Sequence, residues 1–387
     1  MKKKVCFVAA IEMSIKAFLI DHMHILQEMF DLYVIVNTDN RFFLEPFGIK
    51  ATVIPVRIER KISLLNDVKA LFDLYKIFKK EKFDIIHSIM PKSGFLSMLA
   101  GFFAKAPIRV HTFTGQVWKN NKGVKRFVLK TMDKILALCA THILVDSLSQ
   151  REFLINEGVV SYEKSSVIGN GSMCGVDKTR FYFDEEARHT IRENLGIASD
   201  DVVFLFLGRM NRDKGVLDLA MAFVFLHSRF NNTHLLLVGP DEENMKEKIL
   251  EICFQCSNNV HIMGYAEKPE KYMSAGDVFC LPSYREGFGL VIVEAAAVGL
   301  PSIGSRIYGI TDTINDGITG FFFQPGDTKD LMEKMARFID KPLLTKVMGE
   351  NAKVTALEKY VNEKITSAMV DYYKALETSL RKEHQIK

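Results

Sequence analysis

The stretch "SYREGFGLVIVEAAAVGLP", residues 283–301, sits between two short apolar runs, "DVFCLPS" (277–283) and "LPSIGS" (300–305). Both outer runs read as buried strands, bounded by proline and glycine. The ten residues "LVIVEAAAVG" between them read as a helix, so "YREGFG" is the loop that leaves the carboxyl end of the first strand. Strand, loop, helix, strand is the repeating unit of a parallel sheet. The loop places Glu286 ahead of the helix and Glu294 about two turns inside it, eight positions later. The amides of Gly289 and Leu290 open the helix, where no preceding turn accepts their hydrogens, and such a start attracts anions. Glycine there lets a ligand approach the backbone without meeting a Cβ. Glu294 is placed to accept hydrogen bonds from a diol such as a ribose. Taken alone, the two acids are as readily a helix cap and a solvated helix side chain.

The same alternation runs along the chain. In the first half strands are expected at "VCFVAA", "LYVIV", "ATVIPV", "DIIHSI", "IRVHTF", "THILVD" and "SSVIG"; in the second at "VVFLFLG", "HLLLVG", "VHIMG", "DVFCLPS", "LPSIGS" and "TGFFF". Continuous apolar runs separated by amphipathic segments imply parallel sheets covered on both faces. The fold class is therefore α/β, with two doubly wound Rossmann-like domains. Residues 1–172 form the first and 173–360 the second, joined near "GNGSMCGVDKTRF" (169–181), where glycines cluster and periodicity lapses. A helical segment at about 361–387 has no strand after it and is expected to pack back on the first domain. Ligands of such sheets lie beyond the carboxyl ends of the strands, so the chemistry is expected in a cleft between the two domains.

A chain of 387 residues, 48% hydrophobic and 25% charged, has apolar material for two ordinary cores. No run approaches the roughly 18–20 apolar residues needed to cross a bilayer. The opening "MKKKVCFVAAIEM" imitates a signal peptide, but its apolar stretch ends at Glu12 and reads as a first strand. Six cysteines, with no pair spacing that suggests a zinc site or a disulfide framework, read as reduced buried thiols in a cytoplasm. The net charge of +4 is uneven: residues 1–170 carry 25 Lys and Arg against 16 Asp and Glu, leaving the remainder at −5. A basic first half points to an anionic partner, either a membrane surface or a phosphorylated substrate. It contains no nucleic-acid-binding motif, so nucleic acid is not expected.

A second constellation, "FLGRMNRDKG" (206–215), sends Arg209 and Lys214 from the loop after the first strand of the second domain. The two cations are expected to converge on one diphosphate, Arg as a planar fork and Lys as a point charge. With the "EGFGLVIVE" element, the "GVDKTRF" join and "NDGITGFFFQPGD" (315–327), this loop resembles the retaining glycosyltransferases of family 4, which have the GT-B fold. The resemblance covers the whole second half and is similar in outline over the first. It implies that Arg209 and Lys214 hold the donor's diphosphate, that Glu294 binds the ribose and that Glu286 contacts the transferred sugar. By the same resemblance Gly287, Phe288, Gly289 and Leu290 complete the donor site. Gly264 and Tyr265, in "HIMGY", stand where the base is selected.

In the first half the resemblance points to His111 of "RVHTFTGQVW" as a catalytic group facing the cleft, beside the donor sugar and its phosphate. His87, Lys92 and Ser93 of "DIIHSIMPKSG" are acceptor or phosphate contacts. Many relatives carry a glycine pair in the first strand-to-helix loop; here that loop reads "AAIEMSIKAF". It is similar to the branch that builds capsule or O-antigen sugars, in which Ser14 and Lys16 occupy the loop. The implied reaction moves a sugar from a nucleotide diphosphate donor, taken as a UDP-sugar, to a polyprenyl-diphosphate-linked saccharide at the inner face of the cell membrane. No Asp-x-Asp occurs, which argues against a metal-clamped donor, and no other cofactor is implied.

Two basic amphipathic segments, 60–83 and 118–135, mix Lys and Arg with Leu, Phe and Val. Their apolar faces are expected on the sheet and their exposed lysines at an anionic membrane, where the enzyme associates peripherally. Three other functions compete. A dinucleotide oxidoreductase needs G-x-G-x-x-G opening a helix after its first strand, and the nearest string, "GNGSMC" (169–174), ends in Cys. A GT-B sugar-nucleotide epimerase needs no lipid acceptor and releases a free sugar or sugar nucleotide. A non-catalytic nucleotide-sugar sensor transfers nothing.

Overall fold

A computed structural model describes residues 2–59 and 63–386 of the chain. It separates into two compact units, Met1–Gly175 with Asn362–Lys387, and Val176–Val361. The change of unit at Gly175 falls inside the stretch 169–181, and the last helix belongs with the first unit.

The first unit is built on strands β1 (Lys3–Ile11), β2 (Phe30–Asn37), β3 (Ala51–Pro55), β4 (Ile85–Ile89), β5 (Ile108–Phe113), β6 (His142–Val145) and β7 (Ser165–Val167). They form one sheet in the order β3-β2-β1-β4-β5-β6-β7, with parallel pairings throughout. Central β1 shows why its run had to be continuously apolar. Val5, Phe7 and Ala9 enter the core on one face, Cys6, Val8 and Ala10 the core on the other. The helix Asn362–Ile386 closes the first of these cores with Ile365, Met369, Tyr373, Leu376 and Leu380, spaced three and four apart. Tyr373 also bonds His87 of β4 through its hydroxyl, 2.6 Å from Nδ1.

The second unit holds β8 (Val202–Leu207), β9 (Thr233–Val238), β10 (Val260–Met263), β11 (Val278–Leu281), β12 (Ser302–Ser305) and β13 (Gly320–Phe323). Their order is β10-β9-β8-β11-β12-β13, again all parallel. Strand order reverses between β1 and β4 in one sheet and between β8 and β11 in the other. Loops leaving those strands diverge to opposite faces and open a crevice at the carboxyl edge of each sheet. The β8 and β11 loops are "GRMNRDKG" and "PSYREGFG".

The string "GNGSMC" follows β7 and leads to no helix before Glu185. Gly169, Gly171 and Gly175 have positive φ, which glycine adopts without strain, and Ser172 shares it at φ 74; no helix opens on them, as a dinucleotide turn requires. All six cysteines are free, and five are buried. No described helix is long and apolar enough to cross a membrane.

Candidate active site

The β8 and β11 loops are sewn together by their backbones. Asn211 caps the short turn Arg212–Lys214, its side chain accepting from the Lys214 amide at 3.2 Å. Gly215 ends that turn at φ +65, and a Cβ there would come within 2.1 Å of the Pro282 carbonyl oxygen. The Tyr284 amide donates to the Asp213 carbonyl at 2.8 Å, and the Arg285 guanidinium holds the Asp213 carboxylate at 2.8 Å. Only glycine allows this approach, so Lys214 is delivered to the β11 loop with little freedom.

There the Lys214 ammonium pairs with Glu286 Oε1, which also accepts from the Ser283 hydroxyl at 2.8 Å. Both bonds fall on Oε1; among the described residues nothing is bonded to Oε2. Gly289, at φ +78, starts the helix Leu290–Val298. Gly309, at φ +86, backs the Gly287–Phe288 peptide so closely that a Cβ would lie 2.8 Å from the Gly287 carbonyl oxygen. Phe288 departs from the expected donor set: its ring is buried in the core, edge-on to Tyr360 at 5.3 Å, and only its backbone faces the loop.

Arg209 and Lys214 do not share one target. The Arg209 guanidinium bonds both carboxylate oxygens of Glu242, at 3.2 and 2.9 Å, and Asn211 donates to the same carboxylate at 3.0 Å. Glu242 leaves the end of β9 and was not legible as a site residue, because its partner lies 33 positions away. The Arg209–Glu242 pair is half exposed, whereas Lys214–Glu286 is largely shielded. Exposed pairs of the first kind exchange easily for another anion.

Glu294 stands on the second turn of the helix, half-buried and without a hydrogen-bond partner among the described residues. Burial pushes its carboxyl up to about 7; the Arg180 guanidinium opposes that rise and the Glu270 carboxylate adds to it. Arg180, in the "GVDKTRF" stretch, donates to Glu270 at 3.0 Å. Gly264 and Tyr265 follow β10, Gly264 accepting from the Gly239 amide at 3.0 Å and Tyr265 lying exposed. His261 of the same "HIMGY" stretch is turned to His234, 3.0 Å away.

The first unit revises more of the expected residues. His111 is an interior residue of β5 and completely buried, not a group at the strand end. Its Nδ1 meets the Ser88 hydroxyl at 2.9 Å, and its Nε2 has no partner among the described residues. Gly94 makes room for the ring: a Cβ there would sit 2.2 Å from His111 Cε1. Burial holds its pKa at about 3, with the nearby His87 adding to the depression. The loop that leaves β5 begins instead at Thr114. Gln116 and Gln150 both donate to the Thr114 carbonyl at 2.7 Å, which pins that loop to the first turn of the helix Leu148–Asn156 after β6.

His87 is enclosed as well. It is buried, with one nitrogen 2.6 Å from the Tyr373 hydroxyl and the other 2.7 Å from the Thr112 hydroxyl. Ser93 is buried and bonds back to the Ile89 carbonyl at 2.5 Å. Ser14 and Lys16 do not occupy a loop, because the helix Glu12–Phe18 starts directly after β1. Ser14 is buried, and Lys16 pairs with Glu12 at 2.9 Å over the Phe43 ring. Lys92 opens the helix Pro91–Ala104 and pairs with Asp67 at 2.5 Å. Of these residues, Lys16 and Lys92 alone keep a charged group at the β1/β4 switch point.

Residues 187–355 match the glycosyl transferases group 1 family, and residues 37–171 match the glycosyl transferase 4-like domain. The capsular polysaccharide biosynthesis glycosyltransferase CapM of Staphylococcus aureus is 32% identical over 344 residues, 88% of this chain and 88% of its own. The UDP-Gal:alpha-D-GlcNAc-diphosphoundecaprenol alpha-1,3-galactosyltransferase of Escherichia coli is 30% identical over 313 residues, 79% of each chain. Among solved structures, Anabaena HepE in complex with UDP and glucose superposes with a TM-score of 0.79 at 19% identity, covering 96% of this chain and 99% of that one. The sucrose-phosphate synthase of Thermosynechococcus elongatus gives 0.81 at 20% identity, covering 98% and 100%.

Proposed function

Because this chain belongs to the group 1 glycosyl transferases, with the GT-B fold and the capsule and O-antigen branch as its setting, we propose that it transfers a sugar from a UDP-sugar to a hydroxyl of a polyprenyl-diphosphate-linked saccharide, with retention at the anomeric carbon. One observation carries the reading. The two glycine-bearing loops at the β8/β11 switch point bring Lys214, Glu286 and the helix start at Gly289 into one constellation. The names of the E. coli relative and of the HepE complex support the UDP donor, and that relative's name supports the lipid-linked acceptor. A sugar-nucleotide epimerase has no such support, since these relatives are named as transferases.

The barrier is departure of an anionic diphosphate from a carbon gaining oxocarbenium character. Lys214, the Gly289 and Leu290 amides, and Arg209 released from Glu242 stabilise the charge where it develops. Glu286 offers Oε2 to the hydroxyls of the transferred sugar while Lys214 and Ser283 fix its other oxygen. Glu294 accepts from the ribose, and Gly264 and Tyr265 border the base. The bond from the anomeric carbon to the diphosphate breaks, the bond to the acceptor oxygen forms on the same face, and the acceptor's proton leaves on the phosphate oxygen. Lys16 and Lys92 are the first unit's candidates for acceptor phosphates. A lipid-linked acceptor puts the work at a membrane surface, here the cytoplasmic face. Side chains and amides supply the positive charge, so the transfer needs no divalent metal.

The test is a panel of UDP-, GDP- and ADP-sugars against short polyprenyl-diphosphate saccharides, with and without EDTA, with product anomers assigned by NMR. The expected result is UDP-sugar turnover that survives EDTA and keeps the donor's anomeric configuration. Inverted product, turnover only with another nucleotide, or a strict Mg²⁺ or Mn²⁺ requirement would overturn the corresponding part.

A further inference from the structure

We propose that the first unit docks on an anionic lipid bilayer through the outward faces of the helices Leu64–Glu81 and Gly123–Cys139. This deepens the reading above and rests on it only for the lipid-linked acceptor. Each helix carries apolar residues on two sides. The inner side of the first, Ala70, Leu74 and Phe78, and of the second, Leu136, Ala137 and Cys139, is buried in the core that covers one face of the sheet. That accounts for the apolar content a sheet-packing helix needs.

The outer sides are apolar as well. Leu65 is 87% exposed and Phe72 59%, with Val68 between them, at spacings of three and four. On the second helix Phe127 is 71% exposed and Leu138 77%, with Val124 one turn before Phe127. Scattered exposed apolar side chains are ordinary, but two helical stripes on one side of a domain are not. Both helices pack against Pro91–Ala104, whose last turn exposes Phe102 and Phe103. The three therefore present one surface.

Charge chooses the occupant. Lys69, Lys76, Lys125 and Lys134 are exposed along the same stripes. Three of the four acids of the two helices are paired or buried. Asp67 pairs with Lys92, Glu81 with Lys4 at 3.2 Å, and Asp133 is buried on the Trp118 indole at 2.7 Å; Asp73, half-buried, lies one turn from Lys69 and from Lys76 and offsets part of their charge. Apolar residues interleaved with an excess of cations fit the interface of an anionic bilayer, where the ring and aliphatic groups enter the acyl boundary and the lysines meet headgroups. A second copy presenting the same cationic face would be repelled. Arg60, Lys61 and Ile62, which begin the first basic segment, lie outside the described residues.

The experiment is flotation of the full chain with vesicles of phosphatidylcholine alone and of phosphatidylcholine mixed with phosphatidylglycerol, at low and high salt. The wild type should float with mixed vesicles and bind phosphatidylcholine alone at least tenfold less. Phe72→Ser with Phe127→Ser should lower binding by roughly tenfold or more at either salt. Lys69→Glu with Lys125→Glu and Lys134→Glu should lower it further and abolish its salt dependence. Turnover of a water-soluble acceptor analogue should be unchanged in both sets, which separates lost docking from lost folding. Equal binding to both vesicle types, or binding indifferent to the phenylalanine changes, would overturn the proposal. So would a dimer, seen by light scattering, that those changes dissolve while vesicles are ignored. Flotation needs neither donor nor acceptor, so a chain that floats but transfers nothing would lose the functional reading alone.

Discussion

Replacing Glu294 by glutamine should stabilise the protein and impair it at once. The Glu294 carboxyl is raised from 4.5 to about 7, chiefly by burial. A tenfold change in proton affinity corresponds to about 1.4 kcal/mol. By linkage, a value raised in the fold means that the ionised form is disfavoured there, so stability is lost as pH rises from 4.5 through 7. At pH 8 the ionised carboxylate therefore costs about 3 kcal/mol, and at pH 5 less than about 1 kcal/mol. Glutamine has the same shape and no charge to desolvate. Glu294→Gln should raise the melting temperature of the second unit by roughly 5–10 °C at pH 8 and by little at pH 5. Calorimetry is the right assay, because the single tryptophan, Trp118, reports on the first unit. The same change removes a charged acceptor for the ribose, a loss of about 1.5–3 kcal/mol. Donor KM should rise roughly 10- to 150-fold with kcat little changed, since ribose binding is shared by ground and transition states. A variant destabilised at pH 8, or equally altered at both pH values, would refute this account of Glu294.

Arg209→Ala should cut turnover by ~10²–10³ and leave thermal unfolding within about 1 kcal/mol of wild type, because its pair with Glu242 is half exposed. Lys214→Ala should lose as much turnover and also destabilise by about 1–3 kcal/mol, since shielded Glu286 is left without its cation; kinetics and calorimetry together distinguish the two cations. Gly215→Ala meets the Pro282 carbonyl at 2.1 Å and a φ of +65, so it should cost roughly 2–4 kcal/mol and weaken UDP binding in calorimetric titration. His87 and His111, both held at about 3 chiefly by burial, should keep first-unit stability flat above pH 6.5 and lower it as pH falls from there toward 3; Trp118 fluorescence follows the loss, and His87→Gln should remove roughly half of it.

The fold was legible because a parallel sheet covered on both faces needs apolar residues at successive positions, and runs such as "VCFVAA" and "HLLLVG" are too short to serve as membrane spans. The β8 and β11 loops were legible for a related reason: glycine at a strand end followed by a helix is a local signal. What failed to show was whatever depends on a distant partner. His111 and His87 sit on strands that end at Phe113 and Ile89, so the histidines lie below the rim. Their burial is decided by Gly94 and by Tyr373, the latter 286 positions from His87. Arg209 looked free for a phosphate because Glu242 belongs to another loop.

The helix Gly123–Cys139 hid its outer stripe in a different way. Its periodicity is satisfied by the sheet-facing residues Leu136, Ala137 and Cys139, which makes Phe127 and Leu138 look like more of the same apolar face. Residues 127 and 138 are eleven apart, three turns at 3.67 residues each, so they share a side of the helix. Leu136 is two residues before Leu138, about 160° away around the axis. Two apolar stripes so placed cannot both meet one sheet. The surplus stripe, and the lysines that flank it, therefore belong to a second apolar surface, and the net positive charge of residues 1–170 sets its sign.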